Sequence, residues 1–348
     1  MSNATVVSPS IDIVRLVTVI LAMDNSMLVA LYIIGMIGAI LNMITFVQRQ
    51  IRTNSCSIYF LSTAIIDFWI MNVFLLLEIL TRFNLSLSPL IYKTRIWCKF
   101  GNFLLSILPC LSSTYLTLAS VDRFCASSLN STLRKCSQLK VSRNVVRVVF
   151  ILWVLFELHI PIGYDYVFNS ITNNTACQVT VGSPTVYLVI DGFFFALYNG
   201  AVVPFFLCTF GLLICYNMKR SRGRVAAQQT TRSNRTTVDP IPSTNQVRLV
   251  PTRNNFHMLT MLLMQVTVTI FLNVPYMAIY LYGYFNQPPK DLYQYALYII
   301  FTFIARWFYY MNYCKTFYVN TLTSRLFRKS LQQQFLMLVR RRTISSVL

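Results

Sequence analysis

The stretch that decides the fold is CKFGNFLLSILPCLSSTYLTLASVDRF, residues 98–124. Its interior is mostly apolar, and it ends in the acid–base pair Asp122 and Arg123. At about 1.5 Å of rise per residue, a helix from Cys98 to Arg123 covers about 37 Å, enough to run between the two headgroup layers of a bilayer. The stretch therefore predicts a membrane-spanning helix with a cysteine at one end and a charged pair at the other.

The whole chain is too apolar for a soluble globule of its size, since 55% of its 348 residues are hydrophobic and only 11% are charged. Apolar runs of spanning length fall at 27–48, 57–80, 100–124, 145–164, 186–216, 256–283 and 294–319. The sequence therefore predicts an all-α membrane protein, a bundle of seven transmembrane helices, called helix one to helix seven below. An odd number of spans places the two termini on opposite sides of the membrane.

The net charge of +20 follows the predicted topology. Of the 30 Lys and Arg residues, 21 lie in alternate segments between the helices or in the tail, at 49–52, 134–147, 219–253 and 325–342. The positive-inside rule predicts that these segments are cytosolic and that the amino terminus is extracellular, as in a multi-pass plasma-membrane protein. Anionic headgroups explain such basic segments, so the expected partner of this charge is the lipid bilayer, not nucleic acid.

The domain layout follows from the same runs. Residues 1–26 form an extracellular amino terminus, 27–320 form the bundle with a flexible third cytoplasmic loop at 219–255, and 321–348 form a short amphipathic eighth helix and a cytoplasmic tail. Acceptor sequons for N-glycosylation lie in the predicted extracellular segments and support this orientation. Their asparagines are Asn3, Asn84 and Asn173.

Several motifs resemble those of the rhodopsin-like (class A) G-protein-coupled receptors. Helix three ends in Ser-Val-Asp-Arg-Phe at 120–124, and helix two carries Leu-Ser-Thr-Ala-Ile-Ile-Asp at 61–67. Helix four contains Trp153 and helix six contains Pro275, as the family pattern does. The run FYVNTLTSRLFR at 317–328 is similar to divergent invertebrate orphan receptors related to FMRFamide-type neuropeptide receptors. The resemblance covers helices one to seven and implies the fold of a receptor.

Several motifs depart from the family pattern, among them Leu212 of helix five, where the family usually places a tyrosine. Where the family carries Cys-Trp-x-Pro, helix six reads Leu-Asn-Val-Pro at 272–275, without the toggle tryptophan. Where Asn-Pro-x-x-Tyr is expected, helix seven reads Thr-Phe-Tyr-Val-Asn at 316–320. The Gly-Asn pair of the first helix is Gly38 and Ala39 here. These losses leave the fold intact but predict that the usual activation relay is altered.

The resemblance implies roles at both ends of helix three. The Asp122–Arg123 pair would hold a closed state and break when helix six, bent at Pro275, swings outward to admit a heterotrimeric G protein. The structural alternative is an interfacial arginine paired for stability, which any membrane helix end can show. At the other end, only Cys98 and Cys177 of nine cysteines are predicted outside, and their disulfide would tie helix three to the second extracellular loop.

Asp67 lies mid-helix, where an ionised carboxylate is costly unless it is paired or hydrated. The resemblance assigns it to a sodium-and-water pocket with Ser112 and Asn312, so an allosteric sodium ion is the one cofactor to consider. A protonated carboxyl in a hydrogen-bond network is the rival interpretation. Lys315 invites comparison with opsins, but the position that matches the opsin lysine is Tyr310, so a retinal linkage is not expected.

Charged and aromatic residues in the outer halves of the helices form the candidate ligand pocket. Glu78 on helix two and Arg306 on helix seven adjoin in the family architecture, and either pair with each other or bind opposite charges of a ligand. The other candidates are Asp191, Asn273, Tyr276, Tyr280 and Tyr310. Leu105 stands where amine receptors of the family carry an aspartate, so a peptide is favoured over a biogenic amine.

Rival classes lack their signatures. His159 and His257 are predicted at opposite membrane edges, and Asp67 has no second acid at its depth, so neither a zinc hydrolase nor an intramembrane protease is expected. A transporter would show self-similar halves, which we do not find. The sequence thus predicts a receptor that transduces an extracellular ligand to a G protein. A transporter or channel, or a chemosensory receptor for a small non-peptide ligand, stays open as an alternative.

Overall fold

A computed structural model describes residues 11–128, 130–169, 174–183, 186–187, 189–233, 253–286 and 289–345. The long helices of this part of the chain are helix one (Ile11–Phe46), helix two (Ser55–Phe83), helix three (Trp97–Ser127), helix four (Leu139–Gly163), helix five (189–233), helix six (Arg253–Phe285) and helix seven (Leu292–Thr323). Three short helices lie between them, at Arg49–Arg52, Leu87–Tyr92 and Ser131–Cys136. Helix eight (Arg325–Ser345) follows helix seven directly.

Six of the described helices, one to six, are long and apolar enough to cross a membrane. Helix seven is more polar because it is rich in tyrosine and carries Arg306 and Lys315. It nevertheless packs along helices one and six over its length. The predicted bundle of seven transmembrane helices is confirmed.

Helix three lies at the centre of the bundle. It packs against helices two, four and five, and 56% of its most apolar stretch is buried, against 17% for helix four. Its disulfide end carries Cys98, and its Arg123 end carries Asp122 and Arg123. We use "disulfide end" and "Arg123 end" for the two ends of the bundle below.

A two-stranded antiparallel hairpin covers part of the disulfide end. Strand β1 (Tyr164–Asn169) pairs with strand β2 (Asn174–Val179), with Tyr166 opposite Cys177. Cys177 is bonded to Cys98, with their Cα atoms 5.5 Å apart. The predicted disulfide is therefore present, and it fixes the hairpin to the start of helix three.

One of the two apolar core clusters of the described residues lies at the Arg123 end. The rings of Phe46 and Phe60 stack at 5.6 Å, and the ring of Phe327 from helix eight lies 5.5 Å from that of Phe46. All three side chains are fully buried. Helix eight therefore docks through an aromatic contact with helix one, and the Ser330 hydroxyl donates a hydrogen bond to the side chain of Gln48.

Two helix boundaries differ most from the sequence predictions. Helix one begins at Ile11, not at 27, so much of the predicted extracellular terminus is helical. Helix five continues to 233, through the first part of the predicted loop at 219–255. Residues 219–233 contain no proline and many good helix formers, whereas the loop prolines occur later, in the segment 234–252 that lies outside the described residues.

Candidate functional site

Four charged residues from three helices meet at the disulfide end, and we call them the ion cluster: Asp24, Glu78, Arg82 and Arg306. The Asp24 carboxylate accepts hydrogen bonds from both Arg82 and Arg306. Glu78 accepts from the same two guanidinium groups, each at 2.7 Å. Each acid thus bridges both bases, and the cluster is neutral as a whole.

Neutral donors complete the ion cluster. The Trp307 indole nitrogen donates to Asp24 at 2.6 Å, and the Tyr310 hydroxyl donates to Glu78 at 2.9 Å. Asp24 has no exposed side-chain area. A buried carboxylate persists only when it is paired and its lone pairs are satisfied, and Asp24 meets both conditions. The ion cluster therefore ties helices one, two and seven together.

The expected Glu78–Arg306 contact is present, but the sequence interpretation missed half of the cluster. Asp24 was assigned to the extracellular terminus, and Arg82 was not singled out. The missed signal was a lone acid within an apolar stretch of helix one, because a charge at that depth requires an opposite charge nearby.

Aromatic candidates lie beside the ion cluster on helices six and seven. The rings of Tyr276 and Tyr309 stack with centroids 4.2 Å apart, and Tyr280 lies 6.2 Å from Tyr276. Asn273 instead donates to the backbone oxygen of Asn199 at 2.8 Å and is buried. The Tyr309 ring also lies 5.6 Å from that of Tyr310, whose hydroxyl donates to Glu78, so a chain of tyrosine rings leads from Tyr276 to the ion cluster. Asn273, in contrast, joins helix six to helix five.

Asp191 belongs to a separate polar group. Its carboxylate contacts the His159 ring nitrogen at 2.6 Å and accepts from the Tyr164 hydroxyl at 2.7 Å. Burial, followed by the bond to the Asp191 carboxylate, raises the pKa of the Tyr164 phenol above its ordinary value. The structure thus places Asp191 with helix four and the hairpin, not with Glu78 and Arg306.

The polar group around Asp67 lies in the middle of the bundle. The Ser112 hydroxyl donates to Asp67 at 2.6 Å, and the Thr316 hydroxyl donates at 3.3 Å. Asn312 lines the same cavity and is buried. Lys315 also lines this cavity, which the sequence interpretation did not anticipate.

At the Arg123 end, both members of the charged pair are buried. Arg123 donates to Asp122 and also reaches Asn54 at 2.8 Å and Ser55 at 3.0 Å. Asp122 accepts from Ser55 at 2.9 Å and from Ser137 at 2.8 Å. The pair is therefore held by the start of helix two and by the segment after helix three.

Helix six is attached at this end through neutral groups. The buried Gln265 amide donates to the backbone oxygen of Thr316 at 2.8 Å and to the Asn320 side chain at 2.9 Å. Asn320 in turn donates to Asn42 on helix one at 3.1 Å. Asn320 stands where the family places the tyrosine of its Asn-Pro-x-x-Tyr motif, so an amide chain occupies that position here.

The predicted glycosylation sites are described only in part. Asn84 is exposed at the turn after helix two. Asn3 and Asn173 lie outside the described residues. Glycosylation stays a prediction at all three positions.

The family described as 7 transmembrane receptor (rhodopsin family) matches residues 38–322. This match covers most of the chain, and the chain belongs to that family. It is accordingly a signalling receptor of the G-protein-coupled type and not an enzyme. It is a membrane protein that crosses the bilayer several times. A comparison with individual curated proteins gave no match.

Proposed function

We propose that this receptor binds an extracellular ligand at the disulfide end and activates a heterotrimeric G protein at the Arg123 end. In this proposal the amino terminus faces the exterior of the plasma membrane, as the basic segments predict. The observation that carries the proposal is the buried Asp122–Arg123 pair. It is anchored to helix two, while helix six is attached nearby to helix seven through the neutral amide of Gln265.

A peptide is the ligand class that the outer residues favour. The ion cluster offers Glu78 and Arg306, one acid and one base, and the Tyr310 hydroxyl donates to Glu78. A ligand with both an amine and a carboxylate, as a peptide has, can exchange partners with such a neutral cluster without leaving a net buried charge. A ligand of a single charge would leave one member of the cluster unpaired.

The mechanism is conformational selection. The ligand favours the state in which helix six leans away from Arg123, and Pro275 provides a flexible point because its ring removes one backbone hydrogen bond. The outward movement breaks the Gln265 contacts to helix seven and opens the Arg123 end. Ligand and G protein then strengthen each other's binding reciprocally.

The test replaces Arg123 with alanine and measures nucleotide exchange on purified G protein with the receptor in membranes. We expect exchange to fall to the level without receptor. Binding of a peptide found by screening a neuropeptide library against the wild-type receptor is expected to persist. Lys135→Ala, an exposed base on the short helix after helix three, is the matched control and is expected to retain exchange. Wild-type exchange by the Arg123 variant would contradict the proposed role.

A further inference from the structure

The cavity beside Asp67 is the place where the family resemblance implies a sodium ion. It is lined by polar residues from helices two, three, six and seven, and its volume, measured by where a water centre can lie, is about 20 Å³. That is room for about one water molecule. Asp67 and Lys315 are the two ionisable side chains that line it.

The Lys315 amine already uses the oxygen that a sodium ion would need. Its nitrogen donates to the backbone oxygen of Asn312 at 2.6 Å and also to the Asn312 side-chain oxygen. Asn312 is one of the three residues of the implied sodium pocket. A metal ion and an ammonium group compete for the same acceptor, so this acceptor is not free for sodium.

Charge leads to the same conclusion. Asp67 is buried and receives hydrogen bonds from Ser112 and Thr316, both neutral. An ionised carboxylate in this position is stabilised by a positive charge close by. The ammonium group of Lys315 faces the same cavity and provides one, and it would repel a second cation in so small a space. The residues present therefore do not fit a sodium ion.

We propose that Lys315 is a built-in cation that replaces the allosteric sodium ion at Asp67. The receptor then carries the positive charge of this pocket on helix seven, covalently and independently of the salt outside. Its stability and its closed state do not respond to sodium. Removal of the amine creates a sodium site from Asp67, Ser112 and Asn312.

The experiment measures the thermal unfolding midpoint of the purified full-length receptor in NaCl and in choline chloride at equal ionic strength. It requires neither a ligand nor a G protein, so its result is independent of the proposed function. We expect the wild-type midpoint to be the same in the two salts. Lys315→Ala is expected to have a lower midpoint in choline chloride and to regain part of the loss as sodium is added. Lys315→Ala with Asp67→Asn is expected to lose that sodium response.

Two results would overturn the proposal. A wild-type midpoint that rises in sodium but not in choline shows that the metal binds in the presence of Lys315. A Lys315→Ala receptor with equal midpoints in both salts shows that the amine does not stand in for sodium. Lys315→Met, which keeps the length of the side chain, replaces the alanine variant if that variant does not fold.

Discussion

The two sides of the bundle are held by different kinds of interaction. Helices one, two and seven are joined at the disulfide end by four charges, with Asp24 at the centre. Helix six carries no acidic residue, and the Gln265 and Asn273 amides donate neutral hydrogen bonds from it to helices seven and five. A buried ion pair is costly to break from one side, whereas a neutral hydrogen bond contributes only about 0.5–1.5 kcal/mol. The ion cluster therefore ties helices one, two and seven together more strongly, and we expect helix six to be the part that moves.

The largest expected effect follows from removing the shared acid of the ion cluster. Asp24→Asn leaves Glu78 as the one carboxylate of the ion cluster for both Arg82 and Arg306. Breaking a buried ion pair by removing one partner costs about 3–5 kcal/mol, so we expect a fall of about 3 kcal/mol in the free energy of unfolding. The thermal midpoint of the purified receptor measures this loss.

The control makes the same chemical change at an exposed site. Asp291 caps the start of helix seven by accepting from the backbone nitrogen of Gln294 at 3.1 Å. Because asparagine caps a helix about as well as aspartate, Asp291→Asn is expected to leave the midpoint unchanged. Equal midpoints for the Asp24 and Asp291 variants would show that the ion cluster does not fix this side of the bundle.

A smaller free-energy change, measured as basal nucleotide exchange and not as stability, is expected where helix six is attached to helix seven. Gln265→Leu removes both hydrogen bonds to helix seven and leaves the Asn320 side-chain oxygen without that donor. The free-energy difference that favours the closed state over the open state falls by about 1.4 kcal/mol, which is about a tenfold shift toward the open state. We therefore expect basal nucleotide exchange, measured without ligand, to rise by up to about tenfold.

Thr267→Val is the control for this experiment. Thr267 is an exposed residue of helix six whose hydroxyl donates to Leu263 in the same helix, at 3.0 Å. Its removal changes a polar group of helix six without touching helix seven, so basal exchange should stay at the wild-type level. If Gln265→Leu also stays at that level, the amide contacts do not hold the closed state.

The sequence predicted the elements of the fold better than the partners within it. Spanning length and apolar content determine where a membrane helix lies, and the positions of Cys98 and Cys177 led to the right disulfide. The Glu78–Arg306 contact was also among the predicted alternatives. These inferences need only the order of residues along the chain and the known arrangement of neighbouring helices.

The contacts that the sequence did not predict depend on where each helix begins and on how it is rotated about its own axis. Asp24 lies within the bundle because helix one starts earlier than its apolar run suggested, and Arg82 of helix two pairs with it there. Lys315 was judged only by its distance from the opsin position, although its amine lies in the Asp67 cavity. The hydrogen bonds of Arg123 to Asn54 and of Ser137 to Asp122 become visible only when the short segments between helices are placed.

The smallest effect on stability is expected for an ion pair that is exposed to solvent, in contrast to the ion cluster. Arg95 donates to Asp165 on strand β1 at 2.7 Å, and 71% of the Arg95 side chain is exposed. The hydrogen bond from Arg95 lowers the pKa of Asp165 from 3.8 to about 2. Because the folded-state pKa is the lower one, the pair stabilises the fold above about pH 4, and this contribution is lost as the pH falls toward 2.

Arg95→Ala is therefore expected to lower the midpoint slightly at pH 7, far less than Asp24→Asn does, with no difference from wild type near pH 2. Lys93→Ala, an exposed base two residues earlier, should match wild type at both pH values, and a loss from Arg95→Ala that persists at pH 2 would assign the effect to packing and not to charge.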